Sequence, residues 1–342
     1  MAAFSNPVKE VIDHGGNLAR AEALFPNAPK PWLDLSTGIN PHSYPLPPLP
    51  ASVFKRLPEE ADLWRLAAAA ARAYGTPDAA NVVAASGTQI LLPLVAELVP
   101  KGKAAVLSPT YAEHRRAAAL AGHSVVDVPD LASLYDADLA VLVNPNNPDG
   151  RVTSRAELLH LASHLRERGR LLVVDEAFMD ATPQNESLSA DVEDGSVIVL
   201  RSFGKFFGLA GLRLGFALAS RPVVAQLRAK LGPWAVSGPA LVVGTAALSD
   251  LRWQQEMRSR LATEAAILDE VLAVNGLSVK GGTPLFRFLR TPRAENLFRA
   301  LGQEGILLRS FAYDLQALRI GLPGDGAPRL SAALERWREA ME

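Results

Sequence analysis

From residue 81 to residue 200 the chain alternates short, continuously apolar runs with segments of helical periodicity. The apolar runs are rich in Val, Leu and Ala and lie at 81–84, 104–107, 124–128, 139–143, 171–174 and 197–200. The helical segments between them lie at 89–98, 112–121 and 155–168. Runs that are apolar on both faces and separated by helices are typical of a mainly parallel sheet covered on both sides. The pattern predicts an α/β fold, in which ligands bind beyond the carboxyl ends of the strands.

The segments on either side of this alternation predict further parts of the molecule. Residues 1–50 are rich in Pro and Gly and lack periodicity, which predicts an extended arm that joins a smaller domain. An Ala-rich helix is expected over 59–74, ending at Gly75. We expect three parts, which are the N-terminal arm (1–50), a large domain (51–235) and a C-terminal small domain (236–342).

The C-terminal part combines helices with short strands, which predicts an α+β arrangement. Helices are expected at 223–230, 252–274 and 295–301, and strands at 277–280, 285–289, 306–309 and 318–321. The first two strands flank Gly281 and Gly282, and glycines between two strands are typical of a hairpin turn. We therefore expect a hairpin that turns at this glycine pair.

The composition excludes several classes of protein. The 342 residues include 35 basic and 36 acidic side chains, a balance that offers no basic surface to nucleic acid or an anionic membrane. The absence of Cys excludes thiolate catalysis, disulfides and Cys-based metal sites. No stretch is long and apolar enough to span a bilayer, and the first ten residues show no secretory signal. We expect a cytoplasmic protein with no metal site and no nucleic-acid or membrane partner.

The basic residues are unevenly divided into 8 Lys and 27 Arg. An arginine keeps its proton in a protein and acts as a fixed clamp for carboxylates and phosphates, whereas a lysine can be converted into a neutral nucleophile. Any lysine-based chemistry therefore has eight candidate residues in this chain.

Polar residues follow three of the predicted parallel strands. They are, in chain order, the turn at 144–150, Asp175, and a segment that contains Lys205 and Arg213. Taken singly, these residues are typical of an ordinary turn, a helix N-cap and solvated side chains. Because the carboxyl ends of parallel strands meet at one edge of a sheet, we expect the three to share one site. The phenylalanines beside Lys205 would desolvate its amine there and favour a neutral nucleophile that forms a Schiff base.

The motifs around these residues resemble those of a known family. The segment 202–216 resembles the lysine motif of fold-type I pyridoxal phosphate enzymes in the aminotransferase class I/II family. The turn NPNNPDG at 144–150 resembles that family's NPNNPTG turn, and DEAF at 175–178 resembles its DEAY or DEAF motif. The resemblance implies the fold-type I architecture, with a mainly parallel central sheet sandwiched by helices and a smaller α+β domain. It also implies pyridoxal 5′-phosphate as the cofactor.

The resemblance assigns roles to the residues that match the family pattern. It implies that Lys205 is the catalytic residue and covalent anchor, that Asp175 pairs with the pyridine nitrogen, and that Asn147 donates to the ring oxygen. Further cofactor contacts, to the face of the ring or to its phosphate, are implied for Tyr111, Ser86, Gly87, Thr88, Ser202 and Arg213. Substrate contacts are implied for His14, Gly15, Gly38, Asn147, Arg309 and Arg319.

A second resemblance lies near the N-terminus. The element HGGN at 14–17 and the segment WLDLSTGINP at 32–41 are similar to the opening of the L-threonine-O-3-phosphate decarboxylases of cobalamin biosynthesis. This resemblance implies decarboxylation of L-threonine O-3-phosphate to (R)-1-aminopropan-2-ol O-2-phosphate. The alternative is an aminotransferase such as histidinol-phosphate aminotransferase, which shares the lysine and turn motifs but lacks HGGN.

The chain departs from its relatives at several positions. Gly38 stands where the better-known decarboxylases have an asparagine that touches the substrate. Leu57 stands where relatives have a tyrosine that reaches the cofactor phosphate of the neighbouring subunit. Phe178 replaces the tyrosine of many aminotransferases, although the decarboxylases also carry Phe there. Because the family builds its site across a two-fold dimer, the resemblance implies a homodimer.

Overall fold

The alternating segments form a seven-stranded sheet in the computed structural model of the chain, which describes residues 14–341. In chain order the strands are β1 (Leu33–Asp34), β2 (Val82–Ala85), β3 (Lys103–Leu107), β4 (Ser124–Val128), β5 (Leu139–Val143), β6 (Leu171–Asp175), β7 (Val197–Ser202), β8 (Gly215–Leu218), β9 (Val279–Thr283), β10 (Phe286–Arg290), β11 (Ile306–Leu307), β12 (Arg309–Phe311) and β13 (Asp314–Gly321). The large sheet has the order β2-β8-β7-β6-β5-β3-β4.

The helices of the described residues agree with most of the predicted segments. They are α1 (Leu18–Leu24), α2 (Ser52–Lys55), α3 (Glu60–Tyr74), α4 (Leu91–Ala96), α5 (Glu113–Leu120), α6 (Arg155–Arg166), α7 (Phe203–Phe206), α8 (Arg221–Leu231), α9 (Gly238–Ser249), α10 (Leu251–Val274), α11 (Ala294–Gln303) and α12 (Ala327–Glu339). Across residues 14–341, none of these helices has both the length and the apolarity needed to cross a bilayer.

The mainly parallel sheet that the sequence predicts is confirmed, with one strand of opposite direction. Strand β8 pairs antiparallel with both β2 and β7, while β7, β6, β5, β3 and β4 pair in parallel. The apolar pattern does not predict β8, because this strand has four residues and begins with a glycine. Gly215 is required there, since a Cβ atom would collide with the backbone of Gly87 and Thr88.

Successive strand residues supply two separate apolar cores, one on each face of the sheet. Val199 belongs to one core and its neighbour Ile198 to the other. Helices α3, α6 and α9 cover the first face, and α4, α5 and α8 cover the second. The sheet is therefore buried on both sides, which is why its strands read as continuous apolar runs rather than as alternating ones.

The small sheet and the N-terminal arm are in direct contact. Strands β12, β13, β10 and β9 form an antiparallel sheet in that order, and the backbone amide of Gly321 on β13 donates to the carbonyl of Leu35 in the arm at 2.8 Å. Strand β1 of the arm pairs in parallel with β11 in a separate two-stranded sheet. Helix α9, which the sequence pattern does not predict, packs on α3, where the absence of a side chain at Gly244 makes room for Leu66 and Leu214. The division of the chain after residues 50 and 235 stays a prediction.

The hairpin turn predicted at Gly281 and Gly282 is wrong. Both glycines lie inside β9, and the connection to β10 passes through residues 284–285. A Cβ atom at Gly281 would collide with the carbonyl of Asp149, and one at Gly150 would collide with the backbone of Gly282. The glycines are therefore needed so that the turn after β5 can lie against the small sheet, and not to reverse the chain.

A buried charge cluster lies directly beneath the ends of β6 and β7. Arg201 is fully buried, and its guanidinium lies 2.9 Å from a carboxylate oxygen of Glu176 and 2.6 Å from one of Asp180. Ser187 accepts from Arg201 and donates to Glu176. Burial raises the pKa of both carboxyl groups, and the Arg201 charge opposes this rise. The cluster fixes the chain next to Asp175, because Glu176 follows it immediately.

We predict that Arg201→Met lowers the free energy of unfolding by about 3–5 kcal/mol, because two carboxylates would be left buried without their cation. Arg166→Met is the matched control, since Arg166 pairs with Asp194 at the surface and should contribute no more than about 1 kcal/mol. Urea unfolding followed by circular dichroism measures both values. Equal losses in the two variants would contradict a structural role for the buried cluster.

Candidate active site

A cavity of about 470 Å³ lies where the carboxyl ends of β5, β6 and β7 face the arm and the small sheet. Most of the residues predicted for the site lie in its wall. These are His14, Gly15, Gly87, Thr88, Tyr111, Asn147, Asp175, Ser202, Lys205, Arg213, Arg309 and Arg319. The structure thus brings together residues that are more than 300 positions apart in the sequence.

Two predicted site residues lie outside the wall of this cavity. The Ser86 hydroxyl is turned away and donates to the carbonyl of Ala235 at 2.7 Å. Gly38 lies behind the wall, where a Cβ atom would be 2.7 Å from the Phe178 ring and 3.0 Å from the Phe286 ring. Gly38 therefore makes room for two packed aromatic rings, and an asparagine at this position would displace them.

Lys205 lies on α7, immediately after β7, with its amine at the cavity wall. Its Nζ atom is 5.8 Å from the centroid of the Phe178 ring. Burial, together with the positive charges of Arg319 and Arg213, lowers the pKa of Lys205 to about 8, while Asp175 opposes this effect. The neutral fraction of the amine near physiological pH is therefore much larger than for an ordinary lysine, and the neutral form is the one that attacks a carbonyl carbon.

Asp175 ends β6 and is held in place by two hydrogen-bonding partners. One carboxylate oxygen lies 2.8 Å from Nε2 of His114, and the other accepts from the backbone amide of Ala177. Both side chains are buried. His114 is a site residue that the sequence reasoning missed; it lies in the first turn of α5, three positions after Tyr111, and the two rings pack edge to face with centroids 5.9 Å apart.

Tyr111 lines the same wall, and its hydroxyl donates to the amide oxygen of Gln89 at 3.1 Å. Burial and the nearby carboxylates of Glu113 and Asp175 raise the pKa of Tyr111 to about 12. The hydroxyl therefore stays protonated, and the ring presents an uncharged face to the cavity.

One end of the cavity is suited to an anion. Gly87 has φ +88°, and a Cβ atom on it would lie 2.8 Å from the guanidinium of Arg213. The glycine therefore leaves room for the arginine beside the chain at 87–88. The backbone amide of Gly87 itself donates to the carbonyl of Ala85 at 2.7 Å. Thr88 and Ser202 also line the cavity, and amide and hydroxyl donors beside an arginine form the kind of donor set that holds a phosphate.

A pair of arginines lies on the side of the cavity formed by the small sheet. Arg309 and Arg319 are directly opposite each other on β12 and β13. Arg319 is buried and donates to the side-chain oxygen of Asn147 and to the carbonyl of Ser36. Burial and the charge of Arg309 lower the pKa of Arg319 to about 9. Two guanidinium groups this close, one of them desolvated, are stabilised by an anion between them.

His14 and Gly15 bring the N-terminal arm to the cavity. Nε2 of His14 lies 3.4 Å from Glu113, a buried carboxylate that also accepts from Gln89. A Cβ atom on Gly15 would lie 2.5 Å from the Ser36 carbonyl, so a glycine is needed where these two parts of the arm pack against each other. The sequence reasoning missed Glu113, whose contact with the arm spans nearly one hundred positions and follows no local pattern.

The chain is similar over most of its length to proteins of known families. Residues 60–336 match the sequence model of the family described as aminotransferase class I and II. The threonine-phosphate decarboxylase of Pseudomonas aeruginosa is 44% identical over 337 residues, which cover 96% of this chain and 99% of that protein. The threonine-phosphate decarboxylase of a Sinorhizobium species is 42% identical, with coverage of 95% and 98%.

A solved structure has the same fold. The histidinol-phosphate aminotransferase of Sinorhizobium meliloti, in complex with pyridoxal-5′-phosphate, superposes with a TM-score of 0.82 at 23% sequence identity. The superposition covers 100% of both chains. The chain therefore has the fold-type I architecture, with a mainly parallel central sheet and flanking helices.

The charges around Lys205 predict opposite effects of two substitutions on its pKa. Arg319→Met removes a cation that disfavours the ammonium, so the pKa of Lys205 is expected to rise above about 8. Asp175→Asn removes an anion that favours the ammonium, so the pKa is expected to fall below about 8. Competitive acetylation of the cofactor-free protein across pH, followed by peptide mass spectrometry, measures both changes. Arg299→Met, at an exposed pair, is the control. Shifts in one direction for both variants would refute this electrostatic account.

Proposed function

The chain belongs to the aminotransferase class I and II family, and we propose that it decarboxylates L-threonine O-3-phosphate to (R)-1-aminopropan-2-ol O-2-phosphate in cobalamin biosynthesis, with pyridoxal 5′-phosphate as cofactor. The observation that carries the proposal is that His14, Arg309 and Arg319 line the same cavity as Lys205. That combination offers one reactive amine and enough positive charge for a substrate with two anionic groups.

The residues of the cavity fit the cofactor. The space beside Gly87, which a Cβ atom would fill, and the donors of Thr88, Ser202 and Arg213 would hold the phosphate. Tyr111 would face the ring, Asp175 would bind the pyridine nitrogen, and Asn147 would bind the ring oxygen. When bound, pyridoxal phosphate supplies an electron sink for the electron pair left at the substrate's Cα atom as carbon dioxide departs.

Each residue near the reacting atoms has a separate task. The amine of Lys205 would bind the cofactor covalently in its neutral form, and the same group in its ammonium form, which a pKa of about 8 leaves populated near neutral pH, would deliver a proton to Cα. Asp175, fixed by His114, would keep a proton on the ring nitrogen. Phe178 excludes water from the side of the cavity next to Lys205. The reaction breaks the bond from Cα to the carboxylate and forms one Cα–H bond.

The position of the substrate's anionic groups favours decarboxylation. A decarboxylase must present the bond from Cα to the carboxylate to the electron sink, and a carboxylate clamped by an arginine could not take that position. His14 and an arginine would hold the phosphate instead, which would leave the carboxylate free to do so. An aminotransferase instead needs the Cα–H bond in that position and a keto acid to complete its cycle.

We predict that the protein reconstituted with pyridoxal phosphate releases carbon dioxide and a phosphorylated amino alcohol from L-threonine O-3-phosphate without any keto acid. Unphosphorylated L-threonine should show a kcat/KM at least about 100-fold lower, because His14 and the arginines would lose their anion. Lys205→Ala should lose the visible absorbance of the bound cofactor and at least about 1,000-fold in kcat. Lys103→Ala, at an exposed lysine, is the matched control.

The alternative function has a distinct outcome in the same assay. Turnover of histidinol phosphate with 2-oxoglutarate, together with no carbon dioxide from threonine phosphate, would replace our proposal with an aminotransferase. Chromatographic identification of the phosphorylated amine and the keto acid distinguishes the two reactions directly.

We further propose that the protein is a homodimer, as the family relationship implies. Apolar side chains on the segment that precedes α3 support this state, since Leu46, Phe54 and Leu57 are each more than 60% exposed. Exposed apolar side chains that lie close together are typical of protein interfaces. Leu57 takes the place of a tyrosine that crosses to the neighbouring subunit in relatives, so it would contribute apolar contact there and no donor to phosphate.

We predict that the double variant Phe54→Asp/Leu57→Asp raises the dimer dissociation constant at least about 100-fold, because two carboxylates would be buried in the contact. Sedimentation velocity over a range of protein concentrations measures this change. Ile267→Asp, which also replaces an exposed apolar residue, is the control and should stay dimeric. A wild-type protein that sediments as a monomer at all concentrations would refute the dimer.

A further inference from the structure

The N-terminal arm binds the backbone of the turn that carries Lys205. Helix α7 has four residues, and the last carbonyls of a helix have no partner within it. The carbonyls of residues 205–208, which we call the lysine turn, all accept hydrogen bonds from residues 40–44, which we call the strap. The backbone amide of Asn40 donates to the carbonyl of Lys205 at 2.9 Å, and that of Tyr44 donates to Phe207 at 2.9 Å.

Side chains of the strap bind the two remaining carbonyls of the lysine turn. The amide nitrogen of Asn40 donates to the carbonyl of Phe206 at 2.8 Å, and the hydroxyl of Ser43 donates to that of Gly208 at 2.8 Å. Gly208 has φ +64°, and a Cβ atom on it would lie 2.7 Å from the carbonyl oxygen of Asn40. A glycine is therefore required at the point where the two segments touch.

Asn40 has every polar group of its side chain in use. It is 2% exposed, its amide nitrogen binds Phe206, and its side-chain oxygen accepts from the backbone amide of His42 at 2.8 Å. It does not line the cavity. A buried asparagine with both ends satisfied holds a single orientation, because any rotation would leave a polar group unpaired.

The strap is also connected to other elements. Four residues before it, the Ser36 carbonyl accepts from Arg319, which joins the arm to the small sheet. Within the strap, Nε2 of His42 lies 2.8 Å from the carboxylate of Glu264 on α10. The lysine turn is therefore held against a segment that is itself fixed to two other elements.

We propose that Asn40 is a positioning residue for Lys205, which acts by fixing the backbone carbonyls on which the lysine turn is held. The inference rests on the proposed function in that Lys205 is taken to be the reactive amine. The physical reason is that an amine delivering a proton must lie within about 3 Å of its target, and a displacement of about 1 Å costs about 100-fold in rate.

The test compares Asn40→Ala with Asn81→Ala. Asn81 is equally buried, and its amide nitrogen also donates to a backbone carbonyl, that of Ala219 at 2.9 Å, but it lies outside the cavity wall. Asn40→Ala is expected to lower kcat about 10- to 100-fold with KM changed less than about 3-fold. Asn81→Ala is expected to keep both constants, although each variant loses some stability.

A second measurement requires neither substrate nor cofactor. Competitive acetylation of the cofactor-free protein should show the pKa of Lys205 in Asn40→Ala moving from about 8 towards its ordinary value, because a loosened turn admits water to the amine. The same measurement on Asn81→Ala should match the wild type. An unchanged pKa in Asn40→Ala, or equal changes in both variants, would overturn the proposal.

The outcome is separable from the assignment of the substrate. If threonine phosphate is not decarboxylated, the acetylation measurement still decides whether Asn40 positions Lys205. If Asn40→Ala does not fold, Ser43→Ala removes only the hydroxyl that binds Gly208. A smaller shift of the Lys205 pKa in the same direction then supports the strap, and no shift overturns it.

Discussion

The site depends on holding the amine of Lys205 in a buried position that is already close to positive charge. Burial and two arginines act against the ammonium form of Lys205, and Asp175 only partly offsets them. Such an arrangement costs folding free energy, because charged groups are held out of water and near one another, so the surrounding backbone has to be rigid enough to maintain it. The buried Arg201 cluster next to Asp175 and the strap against the lysine turn supply that rigidity.

The same positive charge that disfavours the lysine's ammonium favours an anionic ligand. Arg213 lies at one end of the cavity, and Arg309 and Arg319 lie on the side formed by the small sheet. A chain with a formal net charge of −1 therefore concentrates cations locally without being basic as a whole. A small ligand with two or three negative groups is recognised by this local field, whereas a long polyanion would require an extended basic surface.

Features that depend on local burial are predicted well from the sequence, whereas features that depend on contacts between distant residues are predicted poorly. Strands such as β5 and β6 are buried on both faces, so their apolar runs are unbroken, and the polar residues after them mark the site. Strand β8 is equally buried but begins with Gly215. The glycines of β9 resemble a turn in the sequence, although they leave space for the turn that follows β5. Asn40 binds a carbonyl 166 positions away, and no periodicity contains that information.

The cavity is completed by elements that lie outside the central sheet. The lysine side of the cavity, built from β5, β6 and β7, belongs to the fold that an aminotransferase shares with a TM-score of 0.82. The other side is completed by the arm, through His14 and Gly15, and by the small sheet. Because the same arm binds Arg319 through Ser36 and the lysine turn through Asn40, a change in how the arm lies would alter substrate anchoring and the placement of the amine together. Substitutions in the arm are therefore expected to change substrate anchoring and the placement of the amine together, without any change in the sheet beneath it.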